Sequence, residues 1–352
     1  MADGAAGKIA PGSAVPAAGA CRFAAVTWLV TGGAGYIGAH VVSAMAQAGE
    51  GVVVLDDLSS GRANRLDGAV PLTVGSVLDA DLLSRLLRER GVTGVVHIAA
   101  KKQVAESVAH PLDYYRENVT GLQTVLESAV AAEVQHFVFS SSAAVYGAPD
   151  VAEVTEQTEP APVSPYGETK LVGEWLVRSV AAAHPIRHVS LRYFNVAGAA
   201  RPELADLGVF NLVPMVFERI TTGKAPVIFG DDYDTPDGTC IRDYIHVADI
   251  ASAHLAAARY LRAAGGGNLV VNVGRGEGVS VRQMIDTILE IAGRRDLRPQ
   301  VIGRRPGDPA RVVARADRIR AALGWSARHD LRSMIESAWE GWRRMNPDAG
   351  CL

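Results

Sequence analysis

Cysteine is scarce in this chain: Cys21, Cys240 and Cys351 are the only three in 352 residues. Odd in number and far apart, they form no disulfide or metal-binding pattern, and a reducing cytoplasm is the expected compartment. Lysine is scarce too, confined to Lys8, Lys101, Lys102, Lys170 and Lys224, so arginine carries most of the positive charge. No apolar run is long enough to span a bilayer, and no membrane partner is expected. A formal net charge of −3 gives no electrostatic footprint for nucleic acid. No His or Cys pair has zinc spacing with a third ligand nearby, so no metal is expected. His184 and His188 flank Pro185, which spoils the helix face they would need, and they read as surface residues. Residues 1–23 read as a flexible tail: Met1 to Ala20 are rich in Ala, Gly and Pro, without the basic start and apolar core of a signal peptide. Ala18-Gly19-Ala20-Cys21 likewise lacks the apolar segment a lipoprotein box requires. The remaining composition, 48% hydrophobic and 21% charged, is that of an ordinary globular protein with room for a large core and two domains.

The most informative stretch runs from Val26 to Gly38. A short apolar run reads as a buried strand, and Gly32-Gly33-Ala34-Gly35-Tyr36-Ile37-Gly38 carries it into a helical pattern kept by Ile37, Val41, Met45 and Ala48 and stopped by Gly49. A pyrophosphate can sit on the N-terminus of such a helix, where unpaired N–H groups face it, if no Cβ blocks the approach. Gly32 is expected to allow the tight turn, Gly35 the approach of phosphate, and Gly38 the packing of helix on strand. Val52 to Asp56 form a second buried strand ending in a carboxylate. Asp56 lies at the distance at which an acid takes up the adenosine ribose hydroxyls, which favours NAD over its phosphorylated form.

The alternation continues. Val70 to Val74 and Val95 to Ala99 read as strands, with Asp79 to Arg90 the helix between them. One long helix is expected over Leu112 to Ala132, then strands at Phe137 to Ser140 and Val189 to Leu191. Strands separated by single helices require parallel pairing and right-handed crossovers, hence an α/β fold with a doubly wound parallel sheet whose ligands sit at the carboxyl ends of the strands.

The chemistry is concentrated in Ser164-Pro165-Tyr166-Gly167-Glu168-Thr169-Lys170. With Ser164 as cap and Pro165 in the first turn, Tyr166 and Lys170 stand one turn apart on the same helix face. An ammonium beside a phenol favours the phenolate and makes tyrosine a usable base, and the positive nicotinamide ring of an oxidised cofactor adds to this. With nine tyrosines and so few lysines, chance supplies only about 0.13 such pairs.

Taken together, Thr31 to Gly38, Ser140-Ser141-Ser142-Ala143-Ala144-Val145-Tyr146-Gly147 and the Tyr166/Lys170 pair resemble the extended short-chain dehydrogenases/reductases. The chain is similar over Val26 to about Trp342 to the UDP-glucose (UDP-galactose) 4-epimerase family within that group. The resemblance is carried by Glu106 to Val108, Pro111 to Tyr115, Arg192 to Asn195, Ile228 to Tyr233, Asp237 to Thr239 and Arg242 to Val247. It implies NAD-dependent 4-epimerisation of a UDP-hexose through a transient 4-keto sugar, as in galactose metabolism. It also implies a homodimer packed through the helices from Leu112 and Pro165.

By this resemblance Tyr166 is the base, Lys170 binds the nicotinamide ribose and tunes Tyr166, and Ser142 bonds the sugar hydroxyl. Tyr36, Ile37, Ser76, Lys102 and Asn118 join Gly32, Gly35, Gly38 and Asp56 around the cofactor. Asn195, Asn211, Phe229 and Arg242 contact the nucleotide sugar, Arg305 grips the diphosphate, Asp308 takes the uridine ribose, and Val312 lies close to C2 of the sugar. Read without the resemblance, Arg305 and Asp308 are solvated charges. The chain departs from the family at Ser76, where an Asp is common, and at Ala144, where a Thr is.

Other functions are open to such a chain. A 4,6-dehydratase needs an acid pair where Ala143 and Ala144 stand, which disfavours it. A net oxidoreductase has little use for Arg242 or Arg305, and a non-catalytic NAD-binding protein has none for Tyr166 and Lys170; a 4-epimerase of another UDP-sugar needs the same residues. The NAD domain is expected over residues 24–195, with 240–273 returning to it, and the substrate domain over 196–239 and 274–345.

Overall fold

The apolar, β-branched runs that follow Val26 form the strands of a single parallel sheet. The structure, a computed structural model, describes Met1, residues 26–305 and residues 307–347. Residues 2–23 of the expected tail, Pro306 and Cys351 lie outside the described residues. In chain order the first half alternates β1 (Thr27–Thr31), α1 (Tyr36–Gln47), β2 (Gly51–Asp56), β3 (Leu72–Val74), α2 (Ala80–Glu89) and β4 (Val92–His97). It continues through α3 (Val104–Ala109), α4 (Pro111–Tyr114), α5 (Gly121–Ala131), β5 (His136–Ser142), α6 (Pro165–Ala183) and β6 (Arg187–Tyr193). Then come β7 (Asn195–Ala197), α7 (Leu212–Thr221), β8 (Val227–Phe229), β9 (Ile241–His246), α8 (Val247–Arg262) and β10 (Leu269–Val273).

Seven strands pair in the order β10-β6-β5-β4-β1-β2-β3, all parallel. Strand order reverses at β1, and the glycine loop follows that strand directly, the place where a doubly wound sheet opens a crevice for ligand. Helices α1 and α8 cover one face over Trp28, Val30, Val41, Met45, Ile250 and Ala257. Helices α2, α5 and α6 cover the other over Leu29, Leu83, Leu122, Phe137 and Val177. This is the expected α/β fold.

The chain ends with β11 (Gly278–Ser280), α9 (Val281–Ile291), β12 (Gln300–Ile302), β13 (Arg311–Val312), α10 (Asp317–Leu323) and α11 (Leu331–Met345). A second sheet gathers β11, β13 and β7 around β9, and β12 pairs with β8. Its core is Phe217, Ile220, Met284, Ile288, Met334, Ile335 and Trp342 from α7, α9 and α11. Of the segment 240–273, α8 and β10 belong to the large sheet, but β9 lies in the second. Conversely, within 274–345, Ile319 of α10 and Trp325 pack into the core of the large sheet. Both segments have apolar faces, and periodicity does not say which core a face meets.

Two local expectations are corrected. The helix read over Leu112 to Ala132 is interrupted by a π-helical turn at Tyr115–Thr120. His188 is not on the surface: β6 begins at Arg187, two residues earlier than read, and draws its side chain into the interior at 2% exposure. Among the described residues no helix is long and apolar enough to cross a membrane, and no group of three or more His, Cys, Asp or Glu is placed to hold a metal ion.

Candidate active site

The glycine loop has the geometry a dinucleotide requires. Gly32 has φ +71°, and a side chain there would meet the Ala99 backbone at 2.7 Å, so the turn after β1 admits only glycine. A Cβ on Gly38 would overlap the Gly32 carbonyl, which lets α1 start hard against the loop. Gly35 precedes α1 with no capping side chain, leaving the first-turn N–H groups of Tyr36, Ile37 and Gly38 to face an anion. The Tyr36 hydroxyl donates to the Gly198 carbonyl at 2.6 Å, so that residue presents its backbone rather than its phenol to the loop. Asp56 is buried at the end of β2, where its carboxylate accepts from Ala34 N and Leu58 N, both at 2.9 Å. Two of its roughly four lone-pair sites remain for ribose hydroxyls. These residues fit NAD. Ser76 follows β3, its Oγ accepting from Leu78 N at 3.1 Å, and the exposed Lys102 stands 6.0 Å from the centre of the Tyr36 ring.

Asn118 is buried and bonded within the chain. Its amide donates to the Lys101 carbonyl at 2.9 Å and to Thr169 Oγ1 at 3.0 Å, while its oxygen accepts from Lys101 N at 2.8 Å. Both amide hydrogens are thereby used within the chain. Asn118 clamps the loop that carries Lys102 onto α6, and the π turn around it is what aims it there.

Beyond the loop, β5 and α6 bring together the reacting groups. Ser164 caps α6, accepting from Gly167 N at 3.2 Å, and Pro165 occupies the first turn. Tyr166 and Lys170 both face inward, at 8% and 3% exposure. Ser142, at the end of β5, lies on the Tyr166 phenol side of α6 and works to lower that phenol, and Lys170 Nζ donates to the Ser140 carbonyl at 2.8 Å. Burial raises the Tyr166 phenol above its ordinary value, Ser142 opposing; burial lowers Lys170 to about 8, with Glu174 opposing. A phenol lowered by Lys170 is therefore not what the chain alone produces: burial raises it, and Ser142 is the group that opposes.

The second group of candidates lies around β8, β9 and β13. Val312 pairs in register with Arg242 and packs with Val145, Phe194 and Leu171, against Ala143 beside Ser142, so this group adjoins the reacting one. The Arg242 guanidinium is paired with Asp308. The Arg305 guanidinium lies over the Phe229 ring, 3.7 Å from its centre. Asn195 opens β7 with its side chain exposed. Asn211 precedes α7 without capping it, donating instead to Asp206 Oδ2 at 2.9 Å.

Several residues were not singled out from the sequence. Glu174 and Arg192 form a buried bidentate pair with N–O distances of 2.6 and 2.8 Å. Asp243, fully buried, accepts from the backbone N–H groups of Arg275, Gly276 and Ala314, fixing the turn that follows β10. Glu174 sits four residues past Lys170, a spacing that could have flagged it.

A doubly wound sheet with a glycine loop at its switch point and an inward Tyr–Lys pair defines a nicotinamide-dependent enzyme of the α/β class. The chain belongs to the NAD dependent epimerase/dehydratase family, which matches residues 28–274. The UDP-glucose 4-epimerase of Azospirillum brasilense is 46% identical over 327 residues, covering 92% of this chain and 93% of that protein. The solved UDP-glucose 4-epimerase of Stenotrophomonas maltophila, with bound NAD and formylated UDP-arabinopyranose, is 38% identical with a TM-score of 0.87, covering 92% of this chain and 99% of the other. The UDP-Glc/GlcNAc 4-epimerase of Campylobacter jejuni is 36% identical with a TM-score of 0.80, over 91% and 99% of the two chains.

Proposed function

We propose that this protein is an NAD-dependent isomerase that interconverts UDP-galactose and UDP-glucose by inverting C4 of the sugar. The observation that carries this reading is the meeting of Ser142, Tyr166 and Lys170 between β5 and α6, against the wall formed by Val312. NAD supplies the hydride acceptor and, in the second half of the reaction, the hydride donor. Tyr166 accepts the proton of the 4-hydroxyl as C4 loses hydride, and Ser142 holds the same oxygen. Lys170 keeps two N–H groups beyond its bond to Ser140 for the nicotinamide ribose, and its charge, with that of the oxidised ring, favours the phenolate. After the 4-keto sugar turns its other face, C4 regains hydride and Tyr166 returns the proton to O4. Arg305 and Arg242 bind the diphosphate and sugar, and Asp308 the uridine ribose, as guanidinium and carboxylate chemistry allow. NMR of the purified protein with UDP-galactose tests this: UDP-glucose should accumulate without net NADH, and its absence refutes the reading.

A second reading extends the first. Val312 is small for a wall position beside Ala143, and lost bulk can widen specificity without a new attractive contact. The enzyme therefore also interconverts UDP-N-acetylglucosamine and UDP-N-acetylgalactosamine. It acts as a homodimer in the cytoplasm: Val104, Val108, Leu112 and Trp175 leave apolar surface exposed along α3, α4 and α6. Sedimentation should give twice the chain mass, and Trp175→Glu should shift it toward the monomer.

A further inference from the structure

Tyr166, Lys170 and Glu174 follow each other at one-turn intervals along the inner face of α6, and three consecutive residues of β5 meet them. Ser142 acts on the Tyr166 phenol, the Ser140 carbonyl takes Lys170 Nζ, and the Ser141 hydroxyl donates to Glu174 Oε1 at 2.5 Å. The strand alternation explains the division: Ser141 points toward α6, while Ser140 Oγ faces the opposite side and pairs with His254 at 2.8 Å. Arg192, on the neighbouring β6, closes on Glu174 with Nε and one terminal nitrogen. Its other terminal nitrogen donates to the Tyr146 hydroxyl at 3.0 Å, which donates in turn to Asn272 Oδ1 at 2.6 Å. The side chains of the pair are 5% and 7% exposed. An ion pair so deeply buried is no better for stability than a packed apolar pair of the same volume, so its presence one turn from Lys170 asks for another reason.

We propose that Glu174 and Arg192 are positioning residues: the carboxylate holds the Lys170 ammonium in its charged form beneath the phenol, and the guanidinium holds the carboxylate so that it does not draw Lys170 away. This rests on the assignment of Lys170 above. With Ser141 and both fork nitrogens on it, Glu174 is fixed at a distance from Lys170, whose own protein acceptor stays the Ser140 carbonyl. Facing Lys170 from the neighbouring strands are the Phe139 ring on β5, 5.2 Å from Nζ, and His97 on β4. His97 is buried and held neutral, pushed down to about 3 by burial and by Lys170 itself, so Glu174 is the carboxylate that favours the ammonium.

The arrangement makes a prediction of opposite signs. Five lysines in the chain make lysine 13Cε resonances of the NAD-loaded protein few enough to follow through a pH titration. Glu174→Gln keeps the shape and leaves Arg192 uncompensated, so the Lys170 midpoint should fall by about one unit or more. Arg192→Gln leaves the carboxylate uncompensated, and the midpoint should rise by about as much. The double variant should return it to within a few tenths of the parent value, and the alkaline limb of kcat should follow the midpoint in each protein. A role confined to structure would lower the melting temperature of every variant and leave the Lys170 midpoint in place; that result, or shifts of the same sign in both single variants, overturns the proposal. Where a single variant does not fold, Arg192→Lys, which keeps the charge and loses the fork, must leave the midpoint unchanged for the proposal to stand. Because the titration reads Lys170 directly, it stands or fails independently of which sugar is turned over.

Discussion

The two halves of the site are held in different ways. Ser142, Tyr166 and Lys170 are interior groups, fixed by a strand on one side and a capped helix on the other. Arg305, Phe229, Arg242 and Asp308 are instead satisfied by one another: one guanidinium lies on an aromatic ring and the other on a carboxylate. Electrostatic stabilisation of a transition state gains most from groups that need no rearrangement, and a buried sheet edge supplies them. Charges paired with one another in this way leave neither a bare cation nor a bare carboxylate. On the proposed function, a uridine diphosphate would exchange with contacts the chain already makes, such as Arg242 with Asp308 and Arg305 with Phe229.

Substitutions on the two sides should separate these roles. Tyr166→Phe removes the base and keeps the ring, so kcat should fall by about 10² to 10⁴ or more while NAD and UDP remain bound; near-normal turnover would erase the prepared half of the contrast. Arg305→Ala should act on binding, raising KM roughly tenfold or more at little changed kcat, since a charge-assisted hydrogen bond contributes about 1.5 to 3 kcal/mol. A loss in kcat alone would show that this arginine belongs with the chemistry. Val312→Tyr, on the wall between the halves, should suppress N-acetyl substrates selectively, by about 1 to 3 kcal/mol in kcat/KM. Equal loss on plain and N-acetyl sugars, or no N-acetyl activity in the parent, counts against the wider specificity.

The smallest effect concerns pH. His254 and His97 lie in the prepared half, and burial lowers them to about 4 and about 3. Their folded values lie below the unfolded one near 6.5, so the stability they confer is present above that pH and is lost as pH falls toward the folded values. Each should contribute a slope of up to about 1.4 kcal/mol per pH unit in that window. Urea midpoints measured between pH 7 and 5 should decline, and His254→Gln should flatten the decline.

The legibility of the sequence follows the same division. Gly32 and Gly38 are legible because only glycine fits a left-handed turn or so close an approach, and Tyr166 and Lys170 because helical spacing alone puts them on one face. Glu174 and Arg192 carry no such mark: one is a helix glutamate and the other a strand arginine, and their pairing depends on β6 lying beside β5. Nothing local in Tyr115 to Thr120 declares the π turn that aims the Asn118 amide at Thr169. The membership of β9 and α10 depends on which core their apolar faces meet, a choice made by the whole fold.

That π turn bears on how the chain tolerates change. It holds one residue more per turn than the α-helix around it, and each residue of an α-helix advances the chain by about 100°. Deleting a single residue between Tyr115 and Thr120 would let the helix run on in ordinary register, so the segment reads locally as the simpler design. The deletion would also rotate Asn118 away from Thr169 and detach the Lys102 loop from α6. The irregular turn is thus a phase adjustment, setting the angular registration between two ends of one helix that answer to different neighbours.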